Sequence, residues 1–178
     1  MKKLIALLAV LGILSLNVMA LPVPSSVSQA ASNQNSAGDS LKAQQTTLAL
    51  QIAITAFDSH IQTNSLSPNE NEIVKLLESE ALWQEIEDIG EFSANEMAKL
   101  ENLNTTSEEE MERIGQELNN SFLEKLRGSQ SLSNVTDRLL NNQTQYSRDS
   151  LDHDFALSMT YVWLAQMYME AMLEEAAD

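Results

Sequence analysis

The side chains that could carry out chemistry in this chain are almost all carboxylates. The chain has 26 Asp or Glu residues, two His and no Cys, and it contains no Gly-rich phosphate loop and no HExxH or GxSxG element. Two carboxylates could act as the general acid and base of a hydrolase, as in glycoside hydrolysis. However, this many acids on helices place carboxylates near one another by chance. We therefore predict a non-catalytic protein with no catalytic residues and no cofactor.

Both histidines stand beside acidic residues, as metal ligands often do. His60 follows Asp58 by two positions, and His153 lies one helical turn after Asp149, so Asp149 and His153 could bind a divalent cation from one helix face. The sequence does not repeat any spacing of metal-ligand residues. Asp154 lies near a helix start, where a negative charge stabilises the helix dipole without a metal. We predict no metal site, and a weak metal-binding protein is a minor alternative.

Four methionines near the end of the chain have thioethers that could bind Cu(I). At about 100° per residue, Met169 and Met172 share a helix face while Met167 points largely away, so we favour core packing for them and for Met159. The same side chains could line an adaptable apolar groove. This groove is the basis of our alternative function, a carrier that encloses a lipid or another apolar small molecule between its helices.

Acidic residues are concentrated in the middle of the chain. Residues 70–117 contain 15 acids against Lys75, Lys99 and Arg113, a net charge of −12, whereas residues 118–149 have a net charge of +1. Such charge can keep a protein in solution, or it can form an acidic face that binds a basic protein, a basic peptide or a polyamine. A chain with a net charge of −16 repels phosphate backbones, so we exclude nucleic acid as a partner.

The start of the chain predicts export. Lys2 and Lys3 form a short positive region, residues 4–16 are apolar, and small residues end the segment at Ala20, which is the pattern of a signal peptide. The apolar stretch is shorter than the ~20 residues of a membrane-spanning helix. We expect residues 1–20 to be removed, leaving a secreted or periplasmic protein that crosses no membrane.

Residues 21–38 carry no charge and consist largely of Ser, Asn, Gln, Ala and Pro. The first charged residue after this stretch is Asp39. This composition buries too little apolar area to offset the entropy of ordering, so we expect a flexible leader. After residue 38, apolar residues recur three and four positions apart, which predicts helices throughout. The sequence therefore predicts an all-α domain over residues 39–178, a bundle of five or six helices.

Capping signals divide this domain into its predicted helices. Gly90 is a predicted helix end, and Asn119 to Ser121 predict a kink or break near Asn120 because these residues are poor helix formers. Capping boxes mark three helix starts: Ser67 with Glu70, Ser93 with Glu96, and Ser107 with Glu110. The predicted helices span residues 39–64, 67–90, 93–103, 107–127, 133–148 and 150–176.

The first and last helices are predicted to be long, mostly buried elements. The last is apolar nearly all round, which is typical of the central helix of a bundle or of a helix buried against another chain. Trp83 and Trp163 are expected in or near the core. In the first helix the predicted buried face consists of Leu50, Ile54, Phe57 and Ile61, widened by Leu48 and Ile52.

These observations favour an exported, non-catalytic binding protein that recognises a cationic partner. The acidic middle of the chain carries this preference, and the carrier of an apolar ligand is the alternative from another functional class. A weak metal-binding protein and a carboxylate-dependent hydrolase are the least favoured alternatives. The sequence does not identify the residues that would bind any of these ligands.

Overall fold

A computed structural model of the chain describes residues 33–101, 107–140 and 151–177. Within these ranges the chain forms six α-helices and no strand, which confirms the predicted fold class. The predicted signal peptide and residues 21–32 of the predicted leader lie outside the described residues. The helices are α1 (Asn33–Thr63), α2 (Pro68–Leu77), α3 (Glu80–Glu101), α4 (Glu108–Gly128), α5 (Gln130–Leu139) and α6 (Leu151–Ala177).

The last helix, α6, is the central element of the bundle, as predicted. It contacts α1, α3, α4 and α5, and its most extensive contact is with α1. Leu157, Tyr161 and Leu164 are fully buried, whereas Met172 and Leu173 near the end of the helix are exposed. None of the described helices is long and apolar enough to cross a membrane.

The first helix, α1, is buried along one face only. Leu50 and Phe57 are fully buried against the bundle, and the Phe57 ring meets the Trp163 ring edge to face at 5.8 Å. The prediction that Leu48 and Ile52 widen this buried face is wrong, because both are more than half exposed. The physical reason is that α1 packs mainly on α6, and one neighbouring helix covers only one side of it.

The second predicted helix is two helices, α2 and α3. The chain leaves the helix at Glu78 and Ser79, where the Trp83 indole Nε1 donates a 2.6 Å hydrogen bond to the Leu77 carbonyl. This bond satisfies one of the carbonyls that a helix end leaves without an intrahelical partner. Trp83 is half-buried beside the core, so the position predicted for it is confirmed.

Helix α3 continues past two residues that were predicted to interrupt it. Gly90 lies buried within α3 instead of ending a helix, and Ser93 does not begin a new one. The Ser93 hydroxyl is buried and donates a 2.9 Å hydrogen bond to the Ile89 carbonyl one turn earlier. A serine satisfied in this way can remain inside a helix, and burial of Ile86 and Ile89 favours the continuous helix.

Helix α4 begins at the predicted place and runs without a break through Asn120 to Gly128. Ser107 occupies the N-cap position, but its side chain makes no capping hydrogen bond. The predicted break is absent because Phe122 and Leu126, which follow the weak helix formers, are buried in the core. The free energy of burying them exceeds the small cost of two asparagines in a helix.

The short helix α5 contacts all five other helices. It begins at Gln130, three residues before the predicted start at Ser133, because Ser129 serves as its N-cap and accepts a 3.1 Å hydrogen bond from the Leu132 amide. It ends at Leu139, while the rest of the predicted helix, residues 141–148, lies outside the described residues. Leu132, Val135 and Thr136 are fully buried.

Candidate functional site

The candidate site is a cleft of about 630 Å³ between α3 and α4, which we call the α3–α4 cleft. Its walls are formed by α3, which lies in the acidic middle of the chain, by the last two turns of α4 and by the start of α5. The floor includes the buried Ile89 and the half-buried Phe92. The lining residues are Glu85, Asp88, Ile89, Phe92, Ser121, Glu124, Lys125, Gly128 and Ser129.

An ammonium group already lies against the aromatic part of this cleft. Lys125 Nζ of α4 is 5.1 Å from the centroid of the Phe92 ring of α3. A cation over an aromatic ring is attracted by the negative charge of the ring face, by about 0.5 to 1 kcal/mol at an exposed site. The contact demonstrates that the ring is accessible to an ammonium group from the α4 side of the cleft.

The carboxylate of Glu85 is fixed at one end of the cleft by the start of α5. Its Oε2 atom accepts hydrogen bonds from the Ser129 hydroxyl and, at 3.2 Å, from the Ser131 amide. Its Oε1 atom accepts one from the Ser131 hydroxyl at 2.8 Å. A carboxylate at a helix N-terminus is favourably placed opposite the helix dipole. Glu85 therefore stabilises the junction of α3 with α5 and adds negative charge to the cleft.

Two further carboxylates, Asp88 of α3 and Glu124 of α4, are exposed along the cleft. Asp88 Oδ1 accepts a 2.9 Å hydrogen bond from the Gln84 side chain, which orients its carboxylate. Together with Glu85 they place three negative charges around one positive charge, that of Lys125. The cleft is therefore net negative and suited to attract a cation.

A second cleft, of about 430 Å³, lies between α2 and α5 and has balanced charges. Lys75 Nζ donates a 2.6 Å hydrogen bond to Glu72, and this contact lowers the pKa of the Glu72 carboxyl. Arg138 is 4.0 Å from the same carboxylate, and its backbone carbonyl accepts a 2.8 Å hydrogen bond from Asn69. Since these groups satisfy one another, the second cleft shows no preference for a charged ligand.

The histidines singled out in the sequence take part in separate contacts. His60 Nδ1 lies 2.6 Å from Glu70 Oε1, which joins the end of α1 to the start of α2. His153 is buried at the start of α6, and its proposed partner Asp149 lies outside the described residues. Asp154 accepts hydrogen bonds from Arg127 Nε at 2.7 Å and Nη2 at 2.6 Å. The His60–Glu70 contact and the Arg127–Asp154 contact each join two helices.

No three or more His, Asp or Glu side chains come together as a metal site within the part of the chain that the structure describes. The four methionines differ in how deeply they are buried. Met159, Met167 and Met169 pack partly buried against the core, while Met172 is 38% exposed. Core packing is thus confirmed for Met159, Met167 and Met169, and its prediction for Met172 is wrong.

The sequence did not single out Phe92 or Lys125. The two residues lie on different helices, so only the packing of α3 against α4 brings the ring and the ammonium together. The spacing of Asp88 and Phe92, one helical turn apart, places an acid and an aromatic ring on the same face of α3. This local pattern was visible in the sequence, but many helices contain it.

The α3–α4 cleft offers carboxylates, hydroxyls, one ammonium and an aromatic ring, which is a set of groups suited to binding a cation. Comparison of the chain with known protein families, with curated proteins and with solved structures finds no match. We therefore infer the function from the geometry and charge of this cleft. Both clefts are open to solvent, so neither resembles an enclosed cavity for an apolar ligand.

Proposed function

We propose that the protein is an exported, non-catalytic binding protein that recognises a basic protein or peptide through the α3–α4 cleft. The observation that carries this proposal is the Lys125 ammonium over the Phe92 ring, in a cleft that also contains three carboxylates. A lysine or arginine of a partner could take this position if the exposed Lys125 side chain turned away from the ring. The export part of the proposal is based on the signal pattern of residues 1–20.

The charge around the cleft supports a cationic partner. Residues 70–117, which include the α3 wall, carry a net charge of −12, and the first half of α4, which precedes the α4 wall, belongs to this segment. A surface of one charge sign raises the local concentration of oppositely charged partners and accelerates their association. The exposed carboxylates of Asp88 and Glu124 can then form ion pairs with the bound partner.

The openness of the cleft favours a chain-like partner over an enclosed small molecule. An elongated basic segment could place one cationic side chain over Phe92 and others near Asp88 and Glu124, which lie on opposite walls. Each exposed ion pair contributes only ~0.2 to 1 kcal/mol, so binding needs several contacts at once. The alternative function, a carrier of an apolar ligand, gains no support from either cleft.

The test uses a fluorescent lysine-rich peptide and measures its dissociation constant at low and high salt. Phe92→Leu keeps the apolar volume but removes the aromatic face, and it should weaken binding about two- to fivefold. Glu124→Gln should weaken binding by a similar factor at low salt. The matched control is Glu109→Gln, the same change at an exposed position of α4, about 22 Å from Glu124 along the helix.

The control should bind as tightly as the unmodified protein, and high salt should weaken binding by all variants. Equal losses for Glu124→Gln and Glu109→Gln would contradict a site at the cleft, because they would indicate attraction to the overall charge alone. A peptide that binds the unmodified protein no better at low salt than at high salt would contradict the cationic partner itself.

A further inference from the structure

The side of α1 that faces away from the bundle is apolar at three positions. Leu41, Leu48 and Ile52 are 56%, 58% and 61% exposed. At about 100° per residue, these three side chains lie within about 40° of one another around the helix. The buried residues Leu50 and Phe57 point in nearly the opposite direction, into the core. An exposed group of large aliphatic side chains on one helix face is a feature of interaction sites.

This outer face of α1 is also free of charge between Leu41 and Ser59. Lys42 and Asp58 are the charged residues of α1 nearest to this face, each about 100° from its centre around the axis, and Asp58 is on the flank that faces Glu170 of α6. The remaining exposed residues of the face have neutral amide or hydroxyl side chains: Gln44, Gln45, Gln51, Thr55 and Ser59.

The contrast with the rest of the molecule is large. Helix α1 contains two acids and one base, a net charge of −1, whereas residues 64–178 contain 24 acids and seven bases, a net charge of −17. A partner with a net negative charge is therefore repelled by the surface of the helices other than α1. Such a partner meets the least repulsion on the outer face of α1.

We propose that two copies of this chain associate through the outer faces of their α1 helices, as a two-fold symmetric antiparallel pair. A second copy has the same net negative charge, so an apolar, uncharged face is the surface on which it can dock. Contact through the outer faces places the two acidic bodies on opposite sides of the α1 pair, which reduces the repulsion between them.

The spacing of the exposed residues is self-complementary in this arrangement. A two-fold axis midway between Gln45 and Leu48 places residue 41 of one copy opposite residue 52 of the other, and the reverse contact forms on the other side of the axis. Leu41 then meets Ile52 twice, and Leu48 lies at the centre beside neutral Gln45. Every large exposed aliphatic side chain of the face becomes covered, without bringing charges together.

Sedimentation equilibrium of the protein purified from its own host tests this proposal. We expect a concentration-dependent dimer that tightens as salt rises, because salt screens the repulsion between the two acidic bodies. Leu48→Glu should raise the dissociation constant of the dimer at least tenfold, since it places two like charges at the centre of the contact. The matched control is Met111→Glu, at a position of α4 that is 56% exposed, and it should leave the dimer unchanged.

Cross-linking provides a second measurement that does not disturb the aliphatic contact. The chain contains no cysteine, so Gln45→Cys introduces a single thiol next to the proposed axis. A short bismaleimide should link two Gln45→Cys chains in high yield and two Met111→Cys chains in low yield. Circular dichroism of each variant establishes that it is folded, and the cross-link decides the question if Leu48→Glu unfolds.

Three results would overturn the proposal. One is a monomer at every concentration and salt, and another is a dimer that Leu48→Glu leaves intact. The third is a monomer that binds neutral phosphatidylcholine vesicles through Leu48, because the occupant of the face would then be a lipid surface. These outcomes are independent of the cationic partner, whose binding weakens with salt while the dimer strengthens.

Discussion

The Tyr161 side chain lies fully buried in the core, where its hydroxyl has no hydrogen-bond partner among the described residues. Its ring meets the Phe122 ring edge to face at 5.7 Å, an arrangement that stabilises aromatic pairs. Burial raises the pKa of the Tyr161 hydroxyl, because a phenolate would lose its hydration. The ring therefore stabilises the core, while the hydroxyl carries the cost of an unpaired polar group.

Tyr161→Phe should increase the free energy of unfolding by about 1 kcal/mol, since it keeps the ring and removes the unpaired hydroxyl. Urea denaturation of both proteins measures this difference. Tyr168→Phe is the control, because the Tyr168 hydroxyl donates a 3.4 Å hydrogen bond to Glu87 at the surface of the bundle. A loss of stability in Tyr161→Phe larger than that in the control would contradict the assignment of an unpaired hydroxyl.

At the residue scale, the sequence predicts which apolar side chains are buried. It does not predict which polar side chains are buried with them or how those polar side chains pair. The buried hydroxyls of Thr136 and Thr160 are 2.9 Å apart across α5 and α6. Asp154 pairs with Arg127 across α4 and α6. Neither pair has a local sequence pattern, because the partners lie on different helices and meet only after the helices pack.

At the element scale, the start of α2 follows its sequence signal closely. The Glu70 amide donates a 3.3 Å hydrogen bond to the Ser67 hydroxyl, and the Ser67 amide donates a 2.7 Å bond to Glu70 Oε2. Pro68 occupies the first turn, where no amide donor is needed. All the partners lie within one turn, so the local sequence suffices to predict the cap.

The same signal at Ser93 does not begin a helix, and the reason is tertiary. Ser93 is buried in the middle of α3, whose core-facing residues Ile86 and Ile89 hold a continuous helix against α4, α5 and α6. A capping box contributes about 1 kcal/mol, less than the burial of one large aliphatic side chain. Helix existence could thus be predicted from periodicity, while helix ends depend on packing that the sequence does not display.

The Glu70 carboxyl has its pKa lowered from 4.5 to about 2, chiefly by its hydrogen bond with Ser67 and also by its contact with His60. The folded state therefore binds a proton at Glu70 less tightly than the unfolded state. Its stabilising contribution is present above the unfolded pKa of 4.5 and is lost as the pH falls towards 2.

Glu70→Gln should lower the free energy of unfolding at neutral pH by about 1 kcal/mol, as for the loss of a helix cap. It should also flatten the decline in stability between pH 4.5 and about 2, because the titrating group is gone. Urea denaturation over this pH range measures both effects. Glu91→Gln, an exposed position on α3, should retain the decline of the unmodified protein, and an identical pH profile in Glu70→Gln and the unmodified protein would refute the assignment.

At the scale of the whole molecule, all six helices contribute buried residues to one core cluster. The period of the apolar residues made the all-α class and the central position of α6 predictable, because both depend on how much of a helix is apolar. The two-sided character of α1 was not predictable. Its outer Leu48 and Ile52 have the same residue types as its buried face, and only the number of neighbouring helices distinguishes them.

Charged residues, like buried residues, are distributed unevenly among the helices. The core helix α6 has no charged residue from Phe155 to Met169, and α1 is nearly neutral, so negative charge is concentrated on α3 and on α4 before residue 118. This separation permits two kinds of contact on one molecule. A cationic partner would be attracted to the α3–α4 cleft, and an apolar contact would be least opposed on α1.

The central position of α6 predicts how stability is distributed along it. Leu164 is fully buried, while Leu173, nine positions later on the same helix, is 56% exposed. Leu164→Ala should lower the free energy of unfolding by about 2 to 5 kcal/mol, because it removes buried area and leaves a cavity. Leu173→Ala, the same change, should cost less than about 0.5 kcal/mol.

Urea denaturation at one protein concentration measures both variants, with circular dichroism as the probe of helix content. Leu164 is a sharper position for this test than the neighbouring Val162, which is only half-buried. Equal losses for Leu164→Ala and Leu173→Ala would be incompatible with α6 as a core helix.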